Sequence, residues 1–237
     1  MSRCQITLSV NAGVALHLGQ HRVWSDALHD RRVVGFSTVT PALWNILQAH
    51  PDFARPELLF YTHCHPDHYS RALTEQVLAR DPAAILVLPE QEFDSQVRLA
   101  GPGSHLAMGD LRMDFFQLTH EGPQYREVPH YGCILECGGF RVLIAGDCAV
   151  ADPRLAAFIG GRQIDLALVN FPWVTLRKGR HFIQETIRPH HLFVYHLPFQ
   201  QDDRWGYREA ACKGAAQVEG VPDVRVLLEP FQREIIA

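Results

Sequence analysis

Three imidazoles and a carboxylate fall within six residues, at His63, His65, Asp67 and His68 of the stretch Phe60-Tyr61-Thr62-His63-Cys64-His65-Pro66-Asp67-His68-Tyr69. The spacing has a coordination reason. His63 and His65, two apart in an extended segment, can point to the same side and grip one ion. Asp67 and His68 then face a neighbouring point, which asks for a second ion close by. Imidazole and carboxylate donors together suit zinc, iron or manganese. The ordinary alternative is a surface loop that happens to be rich in histidine.

The elements around this loop are legible. Glu57 to Thr62 is mostly apolar and β-rich, as a buried strand is, and Ser70 opens a helix with Leu73, Val77 and Leu78 on one face. The cluster therefore sits where a strand runs out, the place where α/β folds tend to expose chemistry on a rigid frame. Three further ligand types share that placement. His120 follows the strand ending at Thr119, Asp147 follows Val142 to Gly146, and His196 follows His191 to Tyr195. Taken singly, each reads as well as a capped histidine or a turn aspartate. Taken with the first cluster, they complete two coordination shells.

At this point the chain resembles the metallo-β-lactamase fold superfamily of metal-dependent hydrolases over nearly its whole length. Asp26 looks like the family's first motif, an acid after an early strand that braces the site. His63, His65, Asp67 and His68 match the second motif in full, and His120, Asp147 in Ala-Gly-Asp, and His196 look like the third, fourth and fifth. The resemblance implies one domain over residues 1–237: an α/β fold, a four-layer αβ/βα sandwich of two packed mixed β-sheets with helices on the outer faces. It implies His63, His65 and His120 on a first divalent ion, Asp67, His68 and His196 on a second, and Asp147 as the bridge. Zinc is the leading metal, with manganese and iron as alternatives. His130 competes for the third motif but lies beyond a ten-residue loop, and is read as lining the pocket. Redox members of the superfamily carry an acid where this chain has His65, which favours hydrolysis. Cys64 should point away from the converging imidazoles.

The expected reaction is cleavage of an ester-type bond (phosphodiester, lactone or carboxylic ester) by a metal-bridging hydroxide, with Asp67 and Asp147 catalytic. Nuclease action, iron-dependent sulfur oxygenation and a non-enzymatic metal-binding role are the competing readings. Leu176-Arg177-Lys178-Gly179-Arg180-His181 reads as a loop that could clamp a phosphate or carboxylate, and equally as a solvated basic run. His181 is the expected non-ligand catalytic residue. It resembles a histidine that precedes the helix leading to the last ligand in branches acting on phosphodiesters and sugar-lactone phosphates.

Composition bounds the partners. The chain has 237 residues, 47% of them hydrophobic, and a formal net charge of −4, so it can bury a large core and has no global attraction for nucleic acid or anionic membrane. A small-molecule substrate fits better. The N-terminus lacks the apolar core of a secretory signal, and no apolar run reaches the ~20 residues of a membrane span. Six scattered cysteines fit a reducing cytoplasm. Cys133 and Cys137, four apart on a predicted strand, lie ~13 Å apart and cannot share an ion.

Elsewhere the pattern predicts strands over Cys4–Val10, Val14–Leu18, Arg22–Ser25 and Ala84–Leu88, hairpins around Gly109-Asp110 and Gly138-Gly139, and strands over Ile164–Val169 and Val224–Leu228. It predicts helices after Thr40-Pro41 (stripe Leu43, Ile46, Leu47), at Pro89-Glu90-Gln91-Glu92, after Asp152-Pro153, near Phe182–Ile187 and over Tyr207–Val218.

Overall fold

The computed structural model describes residues 4–237. Its contacts divide the chain into two compact units. One runs up to Leu99 and takes in Pro198–Arg204 and Leu228–Ala237; the other comprises Ala100–Leu197 and Trp205–Leu227. Each is built on one mixed seven-stranded sheet with helices, so the α/β class with two mixed sheets is as expected.

In the first unit, β1 (Cys4–Leu8), β2 (Val14–Leu18) and β3 (His21–Ser25) form an antiparallel meander. From β3 the sheet turns parallel through β4 (Leu58–Phe60), β5 (Ile85–Leu88) and the short β6 (Val97–Arg98). Parallel neighbours need crossover connections, usually helical, here α1 (Pro41–Ala49) between β3 and β4 and α2 (Arg71–Arg80) between β4 and β5. The Thr40 and Ser70 hydroxyls cap them by accepting from the Leu43 and Leu73 amides. The β3–β4 register sets Ser25 beside Phe60, so the residues that follow both strands emerge at one edge of the sheet. Trp24, Leu47, Phe53, Leu59, Tyr61 and Leu86 fill the core of this unit.

In the second unit, β7 (Gly103–Met108), β8 (Leu111–Gln117), β9 (Tyr131–Cys137) and β10 (Phe140–Ile144) form a second meander. Gly138 and Gly139 both take positive φ (56° and 79°), the mirror-image turn whose twist suits a tight hairpin. Parallel β11 (Leu166–Asn170), β12 (His191–Tyr195) and β13 (Asp223–Val226) complete the sheet. Helix α3 (Pro153–Ile159) starts at Asp152 as expected. Short helices α4 (Pro172–Thr175) and α5 (Arg177–Phe182), a π turn over Ile183–Ile187, and α6 (Tyr207–Ala215) follow. Glycine is required where these helices cross. A Cβ on Gly179 would lie 2.3 Å from the Trp173 carbonyl, and one on Gly214 would lie 2.5 Å from that of Val174.

Several expectations need correction. The buried stripe of α1 is Trp44 and Leu47; Ile46 is 53% exposed because it lies about 200° round the axis from Trp44. Pro89–Glu92 is not helical. The Gln96 side chain accepts from the Glu92 and Phe93 amides and donates to the Glu90 carbonyl, serving the backbone groups a helix would have served. The basic stretch after Leu176 is helical rather than a loop. The last helix stops at Ala215, and a C-terminal strand, β14 (Arg233–Ile236), pairs with β1 without having been anticipated.

Candidate metal centre

Asp26 follows β3 with φ at +48°, a left-handed conformation uncommon outside glycine and typical of positions held for function. Its amide donates to the Phe60 carbonyl, which ties it to the end of β4. One carboxylate oxygen accepts the Thr62 amide and the other the Thr62 hydroxyl, both at 2.8 Å. The second oxygen also lies 3.2 Å from His68 Nδ1, and both side chains are wholly buried. Thr62 Oγ1 is in turn 2.9 Å from His63 Nδ1. Thr62 therefore engages the Nδ1 face of His63, and the Asp26 carboxylate stands close to that of His68. Where Nδ1 carries the hydrogen, Nε2 holds the lone pair for a metal, the outer-shell pattern of histidine ligands. The His63 ring centroid lies 4.6 Å from that of His65 and 4.1 Å from that of His68. Asp67 is buried beside them, and Cys64 packs against the hydrophobic core. Burial, reinforced by Glu90 and Glu92, pushes the Cys64 thiol well above its ordinary pKa, which leaves it a poor nucleophile.

In the second unit, parallel pairing of β10, β11 and β12 brings the Asp147 turn, Asn170 and His196 to one sheet edge. A bridge between His120 and Cys148 sets the third histidine beside that turn, and the Glu121 amide donates to the Asp147 carbonyl. One Asp147 oxygen is 3.0 Å from His196 Nδ1, and the other is 3.9 Å from His120 Nε2. His120 Nδ1 lies 2.7 Å from the Glu121 carbonyl, which assigns its hydrogen to that nitrogen. His196, like Asp26, takes a positive φ (59°) just past a strand. His130 is fully buried, its ring centroid 5.6 Å from that of His120.

Of the candidate metal-holding groups among the described residues, three draw on His63, His65, Asp67, His68, His120, Asp147 and His196, and one on His21, Asp110 and Cys137. Buried imidazoles and carboxylates, several with their second nitrogen engaged, fit divalent zinc, iron or manganese. Sequence reasoning missed two supporting residues. Thr62 precedes the first ligand and looks like one more β-former of the strand. Asn170 donates to Asp147 at 3.1 Å and is a polar residue closing an apolar strand, the signal that picked out the ligands themselves.

His181 is exposed on α5 and lines a cleft of about 920 Å³ with Arg177, Lys178, Arg180, Gln184 and Glu219. None of His120, Asp147 and His196 lines it. On this helix Arg177, Arg180 and His181, three and four residues apart, share one face and line the same cleft. Arg180 is engaged internally, donating to the Val174 and Thr175 carbonyls.

The chain matches the β-lactamase superfamily domain over residues 21–194. Among solved structures it is similar to the metallo-β-lactamase fold protein YhfI from Bacillus subtilis: 14% identity, 99% of this chain and 100% of that one, TM-score 0.69. It is also similar to Igni18, described as a novel metallo hydrolase from the archaeon Ignicoccus hospitalis: 18% identity, 99% and 98% coverage, TM-score 0.66. A third likeness is to CmlA, a diiron β-hydroxylase from Streptomyces venezuelae, at 14% identity and TM-score 0.69. All of this chain aligns with 54% of CmlA, so it spans about half that protein's length. No curated protein matches the chain. Among the described residues, no helix is long and apolar enough to cross a membrane. With the family's domain matched across most of its length and its fold repeated in these structures, the chain belongs to the metallo-β-lactamase fold superfamily.

Proposed function

We propose that this protein is a binuclear metal-dependent hydrolase cleaving an ester-type bond of a small anionic substrate. In this reading His63, His65 and His120 would hold one ion, Asp67, His68 and His196 a second, and Asp147 would serve both. The observation that carries it is the oriented donor set. Thr62 fixes the Nδ1 side of His63, the Glu121 carbonyl does the same for His120, and the Asp26 carboxylate stands 3.2 Å from His68 Nδ1. Such outer contacts have little purpose unless the opposite nitrogens must be aimed.

Two divalent ions held there, zinc first and manganese or iron as alternatives, would supply a water acidified toward neutrality and positive charge for the developing oxyanion. The chain's own residues supply position. The carboxylate of Asp67 orients the attacking water and receives its proton. Asp147, held by Asn170, fixes the spacing of the two shells. The positive-φ backbones of Asp26 and His196 keep both side chains at their sheet edges. His181, which lines a cleft that His120, Asp147 and His196 do not, is given no step in this reading. A reducing, cytoplasmic setting fits the six free thiols.

Metal analysis of protein purified without chelator should find about two equivalents per chain. Turnover of a generic phosphodiester and a carboxylic ester should fall roughly 100-fold or more in metal-loaded Asp67→Ala. Equal turnover in the loaded variant would remove Asp67 from the mechanism. A metal-loaded wild type inert on the whole ester panel would remove the hydrolase. The likeness to a diiron hydroxylase favours one second reading, iron-dependent oxygenation. Iron as the bound metal, with oxygen uptake in place of ester cleavage, would select it.

A further inference from the structure

The loop that leaves β3 after Asp26 is tied to the histidine loop by a parallel bridge between Leu28 and Tyr69, so both stand at the same edge of the first unit's sheet. That loop forms one wall of a cavity of about 380 Å³, a size that suits a small molecule. Phe36, Leu43 and Phe199 give it an apolar lining, with Arg32 and Asp202 on its rim.

The cavity is built rather than incidental. Its hinge is Ser37, 2% exposed. The Ser37 amide donates to Asn11 Oδ1, and its carbonyl accepts from Asn11 Nδ2. Its hydroxyl accepts the Phe199 amide and donates to Asp202 Oδ2. The wall made by the 198–204 segment is thereby locked to the loop, and the one carboxylate at the rim already has a donor.

The cations are not so engaged. Arg32 is exposed, and among the described residues its side chain makes no hydrogen bond or ion pair; the same holds for Arg204, which joins Arg32, Phe36 and Asp202 around a shallow adjoining dent. A guanidinium is a planar fork suited to two-oxygen recognition of carboxylate or phosphate. An uncommitted pair beside an apolar cavity calls for a ligand with an anionic head and a compact apolar tail.

We propose that this cavity is the recognition subsite for the substrate: Arg32, helped by Arg204, takes a carboxylate or phosphate, and Phe36, Leu43 and Phe199 take an attached ring or short alkyl group. The proposal rests on the hydrolase reading for the word substrate and on nothing but the cavity for binding. It relocates anion recognition from Arg177, Lys178 and His181 to the edge that carries the histidine loop.

Binding of phenyl phosphate, phenylacetate and neutral benzyl alcohol is measured by calorimetry on the full chain, with and without zinc. The two anions should bind wild type in both states, and benzyl alcohol at least tenfold more weakly. Arg32→Ala should weaken anion binding about tenfold and Arg32→Glu should abolish it. Arg177→Ala should leave it unchanged. Arg32 is exposed and unpaired, so these variants will fold. Whichever of the two anions binds more tightly names the head group. No binding to wild type at millimolar ligand, equal binding of the neutral analogue, or loss in Arg177→Ala but not in Arg32→Ala would overturn the proposal. Because the assay needs no turnover, an inert protein that still binds these anions through Arg32 refutes the hydrolase reading alone. An active hydrolase indifferent to Arg32→Ala refutes the subsite alone.

Discussion

Asp26 offers the sharpest test, because one carboxylate serves both the fold and the proposed centre. It is fully buried, accepts two hydrogen bonds from Thr62 at 2.8 Å and faces His68 Nδ1 at 3.2 Å. Asp26→Ala would leave the Thr62 amide and hydroxyl buried without their acceptor. At about 1–3 kcal/mol for each stranded group, with partial relaxation, the loss should be about 3–5 kcal/mol. Alanine also tolerates the +48° φ less well than aspartate, which adds to the cost. Asp26→Asn preserves the volume and one acceptor, so its loss should be about 1–3 kcal/mol. Metal affinity should fall about 10–100-fold in both, since neither holds His68 as an anion would. Urea unfolding in chelator reads the first quantity and zinc competition against a chromophoric chelator reads the second. An Asp26→Ala protein within about 0.5 kcal/mol of wild type in stability and unchanged in zinc affinity would refute the bracing argument.

Two other outcomes follow from the first and second units in turn. Asp52 accepts from Thr7 and from two nitrogens of Arg233; burial alone would raise its carboxyl, but the hydrogen bonds from Arg233 and Thr7 and the Arg233 charge win and hold it below the usual carboxylate range. A folded-state pKa below the unfolded value of about 3.9 means this stabilisation is fully present above about pH 4 and disappears as pH falls through the folded value. Asp52→Asn should therefore have a lower urea midpoint at pH 7 and a flatter decline toward pH 3. Gly179→Ala should destabilise by about 1–3 kcal/mol, because the new Cβ meets a backbone carbonyl and no flexible side chain can yield. Thermal melts would record that loss, and an unchanged midpoint would refute the close crossing of α4 and α5.

Local chemistry explains which parts were legible in advance. The four-residue ligand cluster is contiguous, so its spacing can be read without any fold. His120, Asp147 and His196 each follow the end of an apolar strand, and the helix caps Thr40, Ser70 and Asp152 were found where their side chains accept an amide two or three residues on. Trp44 and Ile46 were exchanged because both are apolar; which one is buried depends on what packs against α1, and the Trp44 indole donates to Gln76 on α2. The helix at Arg177 was missed because its stabilisation comes from Gly179 nestling on Trp173, a contact that propensity does not record. The pairing of β14 with β1 joins residues more than two hundred positions apart, and Asn170 and Thr62 acquire meaning only from partners remote in sequence or buried beneath them.

By itself, the sequence determined the donor types, the strand ends that carry them and the superfamily, because those depend on short-range pattern. Only the tertiary structure decided that Nδ1 of His63 and of His120 is the engaged nitrogen, that the basic segment is a helix, and that Arg32 stands uncommitted beside a partly apolar cavity. Those outcomes turn on distances between groups far apart along the chain, which no local pattern encodes.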